Sequence, residues 1–227
     1  MTNSPMHIPV IAIDGPSASG KGSVAERVAA QLGFHYLDSG AIYRIVAYAG
    51  QKQQIAWSNA EALGILAAHL NIEFKLGEIW LDGERITEAV RSEEMSRGAS
   101  EVAVHVPVRT ALLALQRSFR QLPGLVADGR DMASVIFPDA QLKIFLTASA
   151  ETRAQRRYLQ LSNRGLAADY AQILSDLEQR DARDRQRTAA PLQQTANALL
   201  LDTSDLTILQ AVDFILDAYK KSHKNIS

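Results

Sequence analysis

Three observations predict an α/β fold, a parallel sheet wrapped by helices. A short apolar run, Val10-Ile11-Ala12-Ile13, leads into a glycine-rich turn and then an amphipathic segment from Lys21 to Leu32. Strand-like and helix-like segments alternate along most of the remaining chain. The runs Leu125–Ala127, Leu142–Leu146 and Ala198–Leu201 are apolar throughout and end in polar or turn residues, as strands buried on both faces of a parallel sheet do. In such a sheet ligands gather at the carboxyl ends of the strands.

Val10–Asp14 reads as the first strand. Lys21–Leu32 reads as a helix, because Val24, Val28 and Leu32 recur at i, i+4, i+8. Phe34–Leu37 is a short strand that ends at Asp38-Ser39-Gly40, and Ala41–Gln51 and Ala60–His69 read as helices. Ile72–Ile86 breaks the rhythm. Apolar and polar residues alternate there (Ile72, Phe74, Leu76, then Ile79 and Leu81) around Gly77 and Gly83, which predicts a small antiparallel insert. Arg153–Arg187 is helical in pattern and rich in arginine. Asp202–Asp205 offers caps for a last helix, Leu206–Lys221, in which Ile208, Val212, Ile215 and Tyr219 share a face. No linker, low-complexity segment or repeat divides the chain, so residues 1–227 are expected to form a single domain.

Composition narrows the function. A chain of 227 residues with 47% hydrophobic and 22% charged residues can bury a core of ordinary size. A net charge of −1 gives no global attraction to nucleic acid or to an anionic membrane, and no basic stripe is interleaved with aromatics. Anion binding must come from local arginine clusters. With no cysteine there is no disulfide, thiolate zinc site or cysteine nucleophile, which fits a reducing cytoplasm. His7, His35, His69, His105 and His223 are scattered without metal-ligand spacing. No apolar run reaches the ~18 residues of a membrane span. Met1–His7 is polar, lacks a signal-peptide core and reads as a short loose tail. The absence of an apolar surface stripe makes a monomer the expectation.

The chemistry starts at Gly15-Pro16-Ser17-Ala18-Ser19-Gly20-Lys21-Gly22-Ser23. A strand, a glycine-rich turn and a helix in that order cradle phosphate. Backbone N–H groups point at the anion, and the helix N-terminus adds a positive dipole end. Lys21 reaches the β- and γ-phosphates of a nucleotide, and Ser23 offers a hydroxyl to Mg2+. Glycine follows the lysine here and the hydroxyl falls one residue later, a variant that points toward small-molecule kinases.

Ser39 and Arg44 follow the second strand. They read either as a phosphate hydrogen-bonding pair or as a helix cap plus a solvated arginine. Asp128-Gly129-Arg130-Asp131 follows Leu125–Ala127. Asp128 at a strand end is placed to hold magnesium through water, with Arg130 and Asp131 projecting over the sheet edge; the alternative reading of the segment is a polar turn. Arg153, Arg156 and Arg157 share one helix face, and Arg180, Asp184 and Arg187 share another. With Asp176, Glu178, Asp181 and Asp184 interspersed, the stretch reads either as a solvated, salt-bridged helix or as a lid whose guanidinium groups surround a phosphoryl group in transfer.

At this point the chain resembles the bacterial cytidylate kinases. The matching pieces are I-D-G-P-S-x-S-G-K-G-S at Ile13–Ser23, L-D-S-G-A-I-Y-R at Leu37–Arg44 and A-D-G-R-D at Ala127–Asp131. F-P-D-A with K-I-F-L follows at Phe137–Leu146, then R-D-x-R-D-R at Arg180–Arg185, with Arg187 and Ala190-Pro191 beyond. Ala18 stands where many relatives have glycine, and Ser23 where they have threonine. The resemblance implies the P-loop nucleoside monophosphate kinase fold, with a five-stranded parallel core, a small β insert and a short helical lid. It assigns 8–40, 122–150 and 188–227 to the core and 41–121 to the monophosphate-binding region, with the insert at about 71–87. The lid is placed at about 151–187. It implies transfer of the γ-phosphate of ATP to CMP or dCMP with Mg2+. Ser39, Arg44, Ser100, Arg109, Arg130, Asp131, Arg180, Asp184 and Arg187 are then expected to line the acceptor site. Arg153 and Arg157 are expected to face ATP.

An acceptor phosphate is already a nucleophile, so Lys21, Arg44, Arg130 and Arg187 are expected to act by charge neutralisation and alignment. Cytosine offers an amino donor at position 4 and an acceptor at N3. Asp131 as acceptor, with Arg109 or Ser100 as donors, complements it, whereas uracil reverses both positions. The competing readings are a kinase for another small acceptor and an ATP-binding module without turnover. The second ring of cations distinguishes a kinase from such a module.

Overall fold

The computed structural model describes residues 8–75, 77–163 and 165–224, of which residues 223 and 224 are described as backbone only. The expected tail Met1–His7, the Leu76 position of the alternating stretch and the side chain of His223 lie outside the described residues.

β1 (Val10–Asp14) is buried along its whole length and feeds the glycine-rich loop. α1 (Lys21–Leu32) follows and ends at Gly33, whose left-handed backbone returns its N–H to Ala29 and Ala30. β2 (His35–Asp38) leads to α2 (Ser39–Lys52), where Asp38 caps by accepting from the Ala41 N–H at 3.0 Å. α3 (Ala60–Ala68) precedes β3 (Ile72–Lys75), β4 (Glu78–Leu81) and β5 (Glu84–Arg85). α4 (Thr87–Val90), α5 (Glu93–Val102) and α6 (Val106–Ser118) come next. β6 (Leu125–Gly129) is followed by a π-helical turn at Met132–Ile136 and then β7 (Leu142–Thr147). α7 (Ala150–Ser162), α8 (Tyr170–Gln186), β8 (Leu199–Asp202) and α9 (Ile208–Lys224) complete the order.

The chain divides into two compact units. One runs through Leu37 and resumes at Phe119; the other spans Asp38–Ser118. The first holds a five-stranded parallel sheet in the order β2-β6-β1-β7-β8. Val10 pairs with Leu125, Ile11 with Leu142 and Ile144 with Leu199. β1 is central, so its carboxyl end lies at the point where the strand order reverses, which is where ligands bind in open α/β sheets. Ile11 and Ile13 pack with Val24 and Val28 of α1 and with Val212, Ile215 and Tyr219 of α9, all buried. This cluster fixes the start of α1 and so the mouth of the loop. In the second unit α2 packs on α3 and α5, and α3 on α6. β3, β4 and β5 form the expected antiparallel insert there.

Several expectations need correction. β2 starts at His35 rather than Phe34, and α2 starts at Ser39, two residues before Ala41, because Asp38 is the cap. Arg153–Arg187 forms two helices rather than one. β8 is an edge strand with Leu199 and Leu200 exposed, so it is not buried on both faces. The last helix starts at Ile208. Thr207 and Gln210 cap it reciprocally, Gln210 N–H to Thr207 Oγ1 at 3.3 Å and Thr207 N–H to Gln210 Oε1 at 2.9 Å. Asp202 instead closes a turn on Ser204 at 2.8 Å. Ile208 is exposed, while Val212, Ile215 and Tyr219 are buried as expected. α5 and α6 were not foreseen. Their signals were the Ser92 cap, which accepts from the Met95 N–H at 3.2 Å, and Pro107 in the first turn of α6.

Candidate active site

In the loop from Gly15 to Gly20 three carbonyl groups, those of Pro16, Ser17 and Ser19, accept from side chains. Pro16 O accepts from Ser19 Oγ at 3.0 Å and from Lys21 Nζ at 3.2 Å. Ser17 O accepts from Arg153 at 3.2 Å, and Ser19 O from Arg156 at 3.3 Å and Thr203 Oγ1 at 3.2 Å. α1 begins at Lys21 behind Gly20, with no side-chain cap and no acidic residue in its first turn. Its dipole end therefore faces the loop with no carboxylate of its own first turn competing, the arrangement that receives an anion.

Two loop positions are sterically demanding. A Cβ on Gly15 would lie 1.9 Å from the Leu146 carbonyl oxygen, a backbone atom of β7 that cannot swing aside. Gly15→Ala is therefore expected to displace the loop, lowering the melting temperature by several degrees in differential scanning fluorimetry and weakening ATP binding at least tenfold in titration calorimetry. Ala18 has φ +58°, the left-handed region that costs a non-glycine residue roughly 1–2 kcal/mol. The chain keeps the loop shape despite the alanine, so other bonds must hold it.

Lys21 is buried, and its ammonium lies 3.9 Å from Asp128 Oδ1. Asp128 lies in β6, one residue before its end. Its other oxygen accepts from Tyr36 OH at 3.0 Å, a partner absent from the sequence reading. A Cβ at position 22 would meet Asp128 Oδ2 at 3.2 Å, so the glycine after the lysine lets α1 approach this carboxylate. Ser23, one turn position on, is exposed.

Arg130 and Asp131 sit at the turn that follows β6. Arg130 donates to Ser17 Oγ at 2.8 Å, to Asp184 at 2.9 Å and to Gly129 O at 3.1 Å. Burial works against its charge, but Asp184, then Asp128 and Asp14, hold its pKa above the ordinary arginine value. Asp184 is buried too. Desolvation pushes its pKa up, yet Arg130, Arg180 and Arg187 outweigh that and hold it below the usual carboxylate range. Arg187 lies just beyond α8, donates to Ala190 O at 2.6 Å and approaches Asp131 at 3.9 Å. The structure thus brings Arg130, Asp131, Arg180, Asp184 and Arg187 into one electrostatic network in the first unit.

Arg153, expected to face ATP, is held by protein partners on several sides. It is 3% exposed and forks onto Asp181 at 2.6 and 3.2 Å while bonding Ala148 O and Ser17 O. Arg157 bonds Gln160 on its own helix at 2.5 Å. Arg156 reaches the loop and Thr203 instead. Helical spacing alone placed all three arginines on one face and could not separate them. The stretch is solvated only in part, since Asp176 bonds Gln172 on the surface while Asp181 and Asp184 are buried.

In the second unit Ser39 opens α2, and its hydroxyl donates to the fully buried Gln116 Oε1 at 2.8 Å. Arg109 on α6 donates to Ala103 O at 3.2 Å and sits 5.9 Å from the Tyr43 ring on α2. Ser100 Oγ and Arg44 Nε are buried without a hydrogen-bond partner among the described residues. Buried polar atoms are rarely left so, and a ligand is one group that completes them.

Sequence reasoning missed Asp14. It ends β1 and accepts from the Met132 and Ala133 N–H groups, both at 2.8 Å, at the start of the π-helical turn. Complete burial pushes its pKa up to about 7, against those two bonds and with Asp131 adding to the rise. The folded protein therefore retains a proton that the unfolded chain has released, between the ordinary value of 3.8 and about 7. Stability owed to Asp14 is fully present at low pH and is lost as pH rises through 7. Asp14→Asn removes that slope. The melting-temperature difference, wild type minus variant, is expected to fall between pH 5 and pH 8; a constant difference contradicts the assignment.

Among the described residues no group of three or more histidines, aspartates or glutamates is arranged to hold a metal, and no helix is long and apolar enough to cross a membrane.

Comparison with known proteins agrees with this geometry. The chain is 58% identical over 215 residues to a cytidylate kinase of Polynucleobacter asymbioticus, covering 95% of this chain and 98% of that one. It is 59% identical over 211 residues to the cytidylate kinase of Polynucleobacter necessarius, covering 93% and 98%. Against that of Cupriavidus necator the identity is 57% over 208 residues, covering 92% and 94%. The family profile described as cytidylate kinase matches residues 11–221, and the chain belongs to that family.

Proposed function

We propose that this protein transfers the γ-phosphoryl group of ATP to CMP or dCMP, giving ADP and the cytidine diphosphate. The observation that carries the phosphoryl chemistry is Arg130, which donates to Ser17 of the phosphate loop and to Asp184 of α8. The name borne by relatives at 57–59% identity supports the choice of acceptor.

In this reading Gly15, Pro16, Ser17, Ala18, Ser19, Gly20, Lys21, Gly22 and Ser23 hold the donor phosphates. Lys21 neutralises charge on the β- and γ-phosphates. Ser39, Arg44, Ser100, Arg109, Arg130, Asp131, Arg180, Asp184 and Arg187 serve the acceptor nucleotide. An oxygen of its phosphate attacks the γ-phosphorus, the bond to the β–γ bridging oxygen breaks, and ADP leaves. The acceptor is already anionic, so alignment and charge do the work without a strong base. Arg44, Arg130 and Arg187 neutralise the acceptor phosphate and the group in flight. Exclusion of water by α7 and α8 protects ATP from hydrolysis.

A buried carboxylate, Asp128, close to Lys21 and Gly22 at the start of α1, and an exposed hydroxyl, Ser23 in the first turn of that helix, suit Mg2+, which keeps several waters and takes one or two carboxylates plus substrate phosphates. When bound, the ion supplies positive charge to the donor phosphates. The absence of an apolar surface stripe in the sequence supports a monomer, and the lack of cysteine supports a cytoplasmic setting.

The test is ADP release with Mg-ATP and, in parallel, CMP, dCMP, UMP, AMP and no acceptor. Turnover with CMP or dCMP, at least tenfold above UMP and AMP, is expected. ATP binding without turnover on any acceptor overturns the reading.

A further inference from the structure

We infer that Asp181, acting through Arg153, is a positioning residue that holds the phosphate loop in its anion-binding shape. The inference rests on reading that loop as the donor-phosphate cradle. Arg153 and Asp181 form a two-bond fork at 3.2 and 2.6 Å, both side chains almost fully buried. A fork of this kind fixes the plane of the guanidinium as well as its position. One nitrogen of that plane also donates to the Ser17 carbonyl at 3.2 Å, and another to Ala148 O at 3.0 Å. The Ser17 carbonyl belongs to the peptide that enters Ala18, the one loop residue other than glycine with a positive φ, +58°. The direction of that carbonyl and the left-handed turn at Ala18 are one conformational choice. With the carbonyl drawn toward Arg153, the N–H of the same peptide faces the opposite way. An alanine resists this backbone more than glycine does, so this chain depends on the tether more than a glycine-bearing loop would. The other charge pair from α8, Asp184 with Arg130, reaches the same residue through Ser17 Oγ at 2.8 Å. Ser17 is thus gripped at its carbonyl by one pair and at its hydroxyl by the other. Only the carbonyl grip bears on the backbone.

The experiment measures ATP and CMP affinity separately by titration calorimetry, with melting temperature as a check on folding. Asp181→Asn keeps the shape of the side chain and removes the charge that orients Arg153. Arg153→Lys keeps a cation on Asp181 but lacks the planar fork, and it serves where Asp181→Asn fails to fold. Each is expected to weaken ATP binding about tenfold and to change CMP binding less than twofold. Ala18→Gly, added to either variant, is expected to restore ATP affinity to within about threefold of wild type, because glycine adopts the loop backbone without the tether. Unchanged ATP affinity in Asp181→Asn or Arg153→Lys overturns the inference. So do equal losses of ATP and CMP affinity, which would mean that the pair only holds α7 to α8, and so does failure of Ala18→Gly to restore binding. Wild-type protein that binds no ATP at all would instead overturn the reading of the loop itself.

Discussion

Lys21→Ala is expected to reduce phosphoryl transfer by about 10³-fold or more while leaving the affinity for CMP within twofold of wild type. The magnitude follows from the loss of a cation at a reaction centre where charge neutralisation is nearly the whole of catalysis; 10³ in rate corresponds to about 4 kcal/mol of barrier. Lys21 is well placed for this. Its ammonium is held at the loop by Pro16 O at 3.2 Å and stands 3.9 Å from Asp128, so its direction is set before any nucleotide arrives. The specificity of the loss follows from chain position, because Lys21 belongs to the donor loop. Removing it takes a cation from beside the buried Asp128 carboxylate, so some stability is lost too. Lys21→Met fills the volume of the stem and separates the two effects. Both variants are to be assayed by coupled ADP release and by CMP titration. Wild-type turnover in either means that the cradle has been misread, and a large loss of CMP affinity means that Lys21 serves the acceptor.

The loop and the sheet were legible in the sequence because their signals are local. β1 and α1 lie where the apolar run and the i, i+4, i+8 pattern put them, Val10–Asp14 and Lys21–Leu32. The alternating stretch formed its antiparallel insert for the same reason. What the sequence could not show are pairings made across the fold. Nothing near Arg153 announces that Asp181, 28 residues on, will claim its guanidinium. Nothing near Asp128 points to Tyr36, 92 residues before it. Asp14 was passed over because a carboxylate at a strand end looks solvated, and its burial depends on the π-helical turn, a feature without a repeating pattern. α5 carried a readable cap in Ser92, and α6 a first-turn proline in Pro107. Ser100 and Arg109 entered through the family resemblance alone. The structure adds an observation about each, an unpartnered hydroxyl for Ser100 and the Tyr43 ring beside Arg109.

Asp131→Ala is expected to lower the ratio of CMP to UMP efficiency by about 10–100-fold. The argument is one of hydrogen-bond polarity. A carboxylate accepts only, so it matches the amino group at position 4 of cytosine and opposes the carbonyl that uracil carries there. A buried polar group left facing its like costs about 1–3 kcal/mol, which converts to roughly 5–150-fold in selectivity. Asp131 is 2% exposed, so water cannot relieve the mismatch. The ratio is the right quantity because Asp131 also lies 3.9 Å from Arg187, and removing it disturbs a cation proposed to act on both substrates alike. Such a loss lowers both efficiencies and cancels. Asp131→Asn sharpens the test. Its amide oxygen still accepts from cytosine, while its amide nitrogen donates to the uracil carbonyl, so UMP efficiency is expected to rise in absolute terms as CMP efficiency falls. Measurement is of kcat/KM for CMP and UMP under saturating Mg-ATP in wild type and both variants. An unchanged ratio in Asp131→Ala, with UMP no better in Asp131→Asn, would remove Asp131 from base recognition and leave it as a partner of Arg187.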